Sequence, residues 1–247
     1  MNTIRITLIC AFVAALSPLH AETLRIGTEP SSAPFSFKEM KTGEQTGFDL
    51  DIVTLVARKA GYTPQIVVMG FDGLIPALQA RNVDALISSL SITEERKKKV
   101  DFTMPYFEAS LSFVTRPENK PQINSVKYLA NKEVCGMLGA AYVGDLRKQG
   151  VKFKLFNSPA EGYMEVTNGG CLGMVHDKPI NDWFLARKIG QKTGLVSAPL
   201  HTEPDPFGIA VRKGDKKTLA RLNKALAQAM KDGTYKTIYE KWFGTTK

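Results

Sequence analysis

Hydrophobic positions along this chain fall into short continuous runs, separated by stretches in which they recur every three or four residues. That is a pattern of strands alternating with helices. Leu24-Arg25-Ile26-Gly27 reads as a first strand. Phe48, Ile52, Leu55 and Val56 share one helical face, closed by Gly61. Residues 65–69 and 84–88 are the next predicted strands, and Leu74, Ile75 and Leu78 mark the helix between them. A second run of the same kind has strands over 134–138 and 171–175. Between them a helix begins at Ser158-Pro159-Ala160-Glu161, where an N-cap, a first-turn proline and a capping-box glutamate coincide. A helix over 179–189 closed by Gly190 follows, then a strand over 208–211. Leu219, Leu222, Leu226 and Met230 form one apolar helical stripe and Tyr235, Ile238, Tyr239 and Trp242 another, with Gly233 between them. Such alternation predicts an α/β protein with mostly parallel sheets. Two polar, proline-bearing stretches, 116–121 and 203–206, read as crossings between two lobes.

Residues 1–21 depart from this pattern. Arg5 gives a positive start, residues 6–16 an apolar run too short to span a membrane, and Leu19-His20-Ala21 a small-residue cleavage site, which together predict a secretory signal peptide. Cys10 follows Leu8-Ile9 rather than the small residue expected at a lipidation site, so the mature chain is expected to be free in the periplasm. Two cysteines then remain, Cys135 and Cys171, on strands that are neighbours in a doubly wound sheet. Export invites a disulfide between them, two buried thiols being the alternative. The chain of 247 residues, 43% of them hydrophobic, has room for one large domain or two smaller ones. Its net charge of +9 raises nucleic acid as a partner. No zinc-ligand spacing or aromatic RNA-binding signature accompanies that charge, and export argues against it, so the basic excess reads as solvation.

Candidate chemistry concentrates in residues 88–106, SSLSITEERKKKVDFTMPY. Ser88, Ser89, Ser91 and Thr93 stand at the carboxyl end of a buried strand and before a helix that starts near Thr93, the place where α/β sheets hold ligands. Arg96, in the first helical turn, can aim its planar fork at a carboxylate held there. An arginine followed by Lys97, Lys98 and Lys99 is also what a solvated basic face looks like. SSLSITEER followed by VDFTMPY resembles the signature of the family 3 periplasmic solute-binding proteins, the amino-acid receptors of ABC importers, and the C-terminal DGTYKTIYEKWFG is similar to the same family.

The resemblance implies a two-lobed, type II periplasmic-binding-protein fold with a mostly parallel, helix-flanked sheet in each lobe and two hinge crossings. Residues 22–114 and 206–247 would form the first lobe around a second at 115–205. It also implies a monomer that captures an amino acid, polar or basic, or an amino-acid derivative, closes over it and delivers it to an inner-membrane permease and its ATPase. Among site residues, it implies that Phe71 lies flat against the ligand and that Asp177, from the lobe opposite Arg96, pairs with the α-ammonium. Glu29 falls where receptors for basic amino acids carry an acid for the distal cation. Two positions depart from the family pattern. Ser32 replaces an aromatic before Ala33-Pro34-Phe35, and Gly139-Ala140-Ala141-Tyr142 lacks the hydroxyl usual at Ala141, leaving backbone N–H groups to meet the carboxylate.

Two rival readings use the same fold. A dehydratase would need a buried general acid, and Glu29, Glu108 and Glu165 are the available carboxylates, none singled out by spacing. A sensor domain would need a membrane span, and none follows Lys247. No metal-ligand cluster or phosphate loop occurs, and His20, His176 and His201 are scattered, so neither a cofactor nor a catalytic role is expected. His176 beside Asp177 does not read as a catalytic pair, because neighbours on a strand face opposite ways.

Overall fold

Glu22–Thr28 lies parallel to Tyr62–Val68 on one side and to Ala85–Leu86 on the other. Ala210–Arg212 and Val100–Phe102 complete that sheet. The second sheet repeats the plan, in the order Lys152–Phe156, Glu133–Met137, Gly173–Asp177, Leu111–Thr115, Val196–Pro199. In each sheet the strand running against the others is the one delivered by a crossing, Ala210–Arg212 in the first and Leu111–Thr115 in the second. The structure, a computed structural model, describes residues 21–123 and 125–245. Apart from Ala21, the predicted signal peptide over 1–21 lies outside the described residues.

The two crossings are Phe107–Ala109 and Asp205–Phe207, which pair antiparallel as a short ribbon between the lobes. The predicted first crossing at 116–121, with the first lobe running to residue 114, is therefore corrected: Leu111–Thr115 already belongs to the second sheet, and Pro117–Gln122 is a 3-10 turn at its far end. Phe107 and Ala109 are buried, so this crossing reads as apolar, while the polar proline run marks the end of a strand. Around the ribbon, the rings of Phe35, Phe48, Phe107, Phe207 and Phe243 pack edge-on, stacked or tilted at 5.0–6.0 Å, a rigid base for the hinge.

Helix Phe48–Lys59 covers the first sheet with Ile52, Val53 and Val56, and the returning helix Lys216–Lys231 packs Leu222, Ala225 and Leu226 into the same core. Gly233, at φ 82°, turns the chain into Thr234–Phe243 in a conformation that favours glycine. The predicted helix over 179–189 is two helices, Lys178–Ala186 and Lys188–Thr193, broken where Arg187 becomes extended. Gly190 does not end it; a side chain there would meet the Phe184 carbonyl at 2.0 Å, and the stop is Gly194. Ser158 and Glu161 form the predicted capping box at the start of Pro159–Thr167.

The Cys135 and Cys171 sulfurs are bonded, with their α-carbons 5.9 Å apart and a sequence separation of 36. Closing a loop of that length restricts the unfolded chain, so replacing both cysteines by serine is expected to cost about 4 kcal/mol, read as a lower denaturant midpoint under oxidising conditions only. Among the described residues, no helix is long and apolar enough to cross a membrane.

Candidate functional site

The first sheet's ladder at Ala85–Leu86 is short because the chain turns away at Ser88-Ser89, and Ser89 takes φ 46°, a left-handed backbone unusual outside glycine. Asp49 holds it there. Its two carboxylate oxygens accept the Ser89 backbone N–H at 2.7 Å and the Tyr106 hydroxyl at 2.8 Å. Asp49 is fully buried, which pushes its carboxyl up to about 7 against the pull of those two donors. A folded value above the unfolded one, about 4, means that the folded state binds the extra proton between pH 4 and 7. Stability attributable to Asp49 is thus greatest in acid and falls as pH rises through that interval. Asp49→Asn is expected to flatten this slope by on the order of 2 kcal/mol, measured by denaturation at pH 5 and pH 8.

From this loop Ser91 donates its hydroxyl to Asp205 Oδ2 at 2.7 Å, and Ile92 N–H donates to the Pro206 carbonyl at 2.8 Å, tying the serine loop to the return strand of the hinge. Thr93 caps the turn Glu94–Lys97, so Arg96 points back into the cleft rather than outward with Lys97, Lys98 and Lys99. Arg96 is only 8% exposed. Its Nη1 donates to the Ser91 carbonyl at 3.0 Å and its Nη2 crosses the cleft to the Gly139 carbonyl at 3.1 Å, while its guanidinium carbon stands 5.5 Å from the Phe71 ring centre. Burial lowers Arg96 to about 10 against the raising influence of Asp205 and Asp177. Asp205 is itself raised to about 6 by burial.

The second lobe supplies Gly139-Ala140-Ala141 and His176-Asp177. Gly139 has φ +80°, and a β-carbon there would stand 3.3 Å from Phe71 and Asp72 of the facing lobe, so the lobes meet at bare backbone. Helix Ala141–Lys148 starts with no side-chain cap, leaving its first N–H groups beside the cleft. Asp177 stands at the N-cap position of Lys178–Ala186 but makes no cap hydrogen bond, so its carboxylate is free of the ordinary duty of that position. The fully buried Asn181 fixes this turn: it donates to the Ser112 hydroxyl at 2.9 Å and to the Ser112 and His176 carbonyls, and accepts from Tyr163 at 2.7 Å. Ser32, Phe71, Ser89, Ser91, Ala141 and Asp177 line one small cavity between the lobes.

Sequence comparison matches residues 24–245 to the bacterial extracellular solute-binding proteins, family 3. The chain belongs to that family. It is 34% identical over 230 residues to an L-arginine-binding protein of Pseudomonas aeruginosa, spanning 89% of this chain and 87% of that one. An ancestral arginine-binding protein solved with arginine bound matches at 40% identity and a TM-score of 0.84, over 90% of this chain and 98% of that one. An ancestral amino acid-binding protein, described as a precursor of cyclohexadienyl dehydratase, matches at 37% identity and a TM-score of 0.80, over 90% of this chain and 95% of that one. The fold of this family 3 protein is the type II periplasmic-binding-protein fold.

Of the expected site residues, Ser32, Phe71, Ser89, Ser91, Ala141 and Asp177 line the small cavity, Arg96 lines the neighbouring one, which shares Phe71 and Ala141 with it, and Glu29 lines neither. Glu29 is buried behind Ser32 rather than on the cavity wall: its carboxylate accepts the hydroxyls of Ser31 and, at 2.8 Å, of Ser32, and burial raises it. Of the other carboxylates considered for acid catalysis, Glu108 is exposed and Glu165 pairs with Lys154 at 2.5 Å. The expectation that His176 and Asp177 face apart is corrected. The strand ends at Asp177, whose backbone leaves the pleat at φ −56°, so both side chains line the cavity and His176 Nδ1 lies 3.3 Å from Asp177 Oδ2. Sequence reasoning passed over Asp49, Asn181 and Asp205, whose parts depend on partners 18 to 114 residues away.

Proposed function

We propose that this chain captures a free amino acid, polar or basic, between its lobes in the periplasm and delivers it, as a monomer, to a membrane permease and its ATPase. One observation carries the reading: Arg96 and Asp177, both buried and of opposite charge, come from opposite lobes within electrostatic influence of one another, with hydrogen-bonding capacity to spare. A zwitterion is the small solute that answers both. Arg96 and the uncapped start of Ala141–Lys148 receive its carboxylate, Asp177 its ammonium, and Phe71 its carbon chain. Pairing with charges from both lobes makes closure and capture one event, with the Phe107–Ala109 and Asp205–Phe207 ribbon as the hinge. The names of the relatives, arginine-binding and amino acid-binding, support the same class of solute.

Refolded, ligand-stripped protein should be screened by thermal shift against the free amino acids and their N-acetyl and methyl-ester derivatives. One or more free amino acids at 100 times the dissociation constant are expected to stabilise the fold by about 2.7 kcal/mol, and the blocked forms at the same concentration by far less. Silence across all free amino acids would overturn the proposal.

A further inference from the structure

We propose that Trp183, Phe37 and Trp242 form an aromatic clasp that holds the two lobes shut over the bound solute, which makes Trp183 a positioning residue for capture although it touches no solute. The inference rests on the amino-acid reading above and adds what keeps the cleft closed. Trp183 comes from the second lobe, on helix Lys178–Ala186. Phe184 and Leu185, next to it on that helix, pack on the second lobe's own apolar cluster. Trp183 instead meets two rings of the first lobe, Phe37 with centres 6.0 Å apart and Trp242 with centres 6.1 Å apart, and those two meet edge-on at 5.9 Å. Such separations and tilts are those of attractive ring pairs. Trp183 does not line the small cavity that holds Asp177 and Ser32.

Each ring is held by its own lobe. Trp242 Nε1 donates to Asp51 Oδ2 at 2.7 Å, so helix Thr234–Phe243 presents an indole fixed to helix Phe48–Lys59. Phe37 lies in strand Ser36–Lys38, which pairs with Ser31–Ser32 on one side and Gln45–Thr46 on the other. The Arg187 guanidinium carbon stands 3.8 Å from the centre of the Trp183 ring and stacks on it. Beside the rings, Glu39 and Glu44 of the first lobe and Arg187 of the second line one groove, with opposite charges on its two sides. The clasp and the solute cavity share their supports: helix Lys178–Ala186 starts at Asp177, and Ser32 pairs with Ser36, one residue before Phe37. Lobes that part enough to release a solute therefore pull Trp183 away from Phe37 and Trp242 and leave apolar ring faces in water. The contact exists in the closed form alone, so it slows release and leaves the choice among solutes untouched.

Release of L-arginine and of L-glutamine is measured by stopped flow on the native protein, Trp183→Ala, Trp183→Phe and Phe37→Ala. Tryptophan emission gives the signal, because both tryptophans of the chain lie in the clasp. Trp183→Ala is expected to raise the dissociation rate of both probes by a common factor of roughly ten, with the association rate little changed. Trp183→Phe, which keeps a ring, should show a smaller rise and also serves should Trp183→Ala fail to fold. Phe37→Ala combined with Trp183→Ala should release the probes little faster than Trp183→Ala alone, since both substitutions remove one shared contact. An unchanged dissociation rate in both Trp183 variants, or a rise confined to one of two probes that the native protein binds, would overturn the clasp yet leave amino-acid capture standing. Should neither probe bind, that result bears on the amino-acid reading, and X-ray scattering of the solute-free protein decides the clasp. A native chain more compact than Trp183→Phe is then expected, and identical profiles overturn it.

Discussion

Arg96→Ala is expected to raise the dissociation constant of any α-carboxylate ligand about a thousandfold, a loss near 4 kcal/mol, since removing one member of a buried charge pair strands the other. The arginine is buried in a fixed pose, with Thr93 capping its turn, Phe71 facing its guanidinium and the Ser91 carbonyl holding Nη1. Little side-chain freedom is left to lose on binding, and the planar fork can present two parallel N–H groups to a carboxylate. Truncation also deletes the bond from Nη2 to the Gly139 carbonyl, a direct link between lobes, so the variant should populate an open form in X-ray scattering even without solute. Arg96→Lys separates the two contributions: it keeps the charge but not the fork, and an intermediate loss of about 30-fold is expected. The hydrophobic clusters of both lobes are built without Arg96, so the fold itself should survive. Unchanged binding by Arg96→Ala would move the carboxylate site elsewhere in the cleft.

The architecture was legible because each lobe buries ordinary amphipathic elements. The stripe of Ile52 and Val56, the capping box at Ser158 and the glycine between the last two helices each declare a local structure that tertiary packing leaves intact. Of the hinge only the second crossing was legible, its proline run at 203–206 overlapping the strand Asp205–Phe207. Proline and charge signal exposed chain, whereas Phe107–Ala109 crosses between lobes through the core and carries the signature of any buried strand. Asp49 is one of two acids in a first helical turn; its function depends on the turn at Ser89, 40 residues on, which no local pattern encodes. Strand alternation sets His176 and Asp177 apart, a rule that holds inside a ladder and fails at its last residue, where Asp177 is also the N-cap of the next helix. Functional side chains in this fold sit at such strand ends, where periodicity stops being informative.

Asp177→Asn is expected to weaken binding of a free amino acid by at least about a hundredfold, and to do so through charge alone. The amide keeps the volume of the carboxylate, and Asn181 goes on fixing the 176–178 turn through its bonds to Ser112 and the His176 carbonyl, so the local fold is retained. A buried ammonium facing an amide lacks its counter-charge, which costs about 3–5 kcal/mol where a pair existed before. The sign of the effect should reverse for a solute with no ammonium. An N-acetyl amino acid presents a neutral amide to residue 177, and there the native carboxylate is the unpaired charge and asparagine the better partner. The native protein should therefore choose the free amino acid and Asp177→Asn the acetylated one, a crossover measured in a single calorimetric series. A general loosening of the cleft would weaken both ligands together and could not produce it. Equal losses for both ligands would mean that Asp177 only shapes the turn, and the ammonium would then have to be met by Glu29, the buried carboxylate behind Ser32.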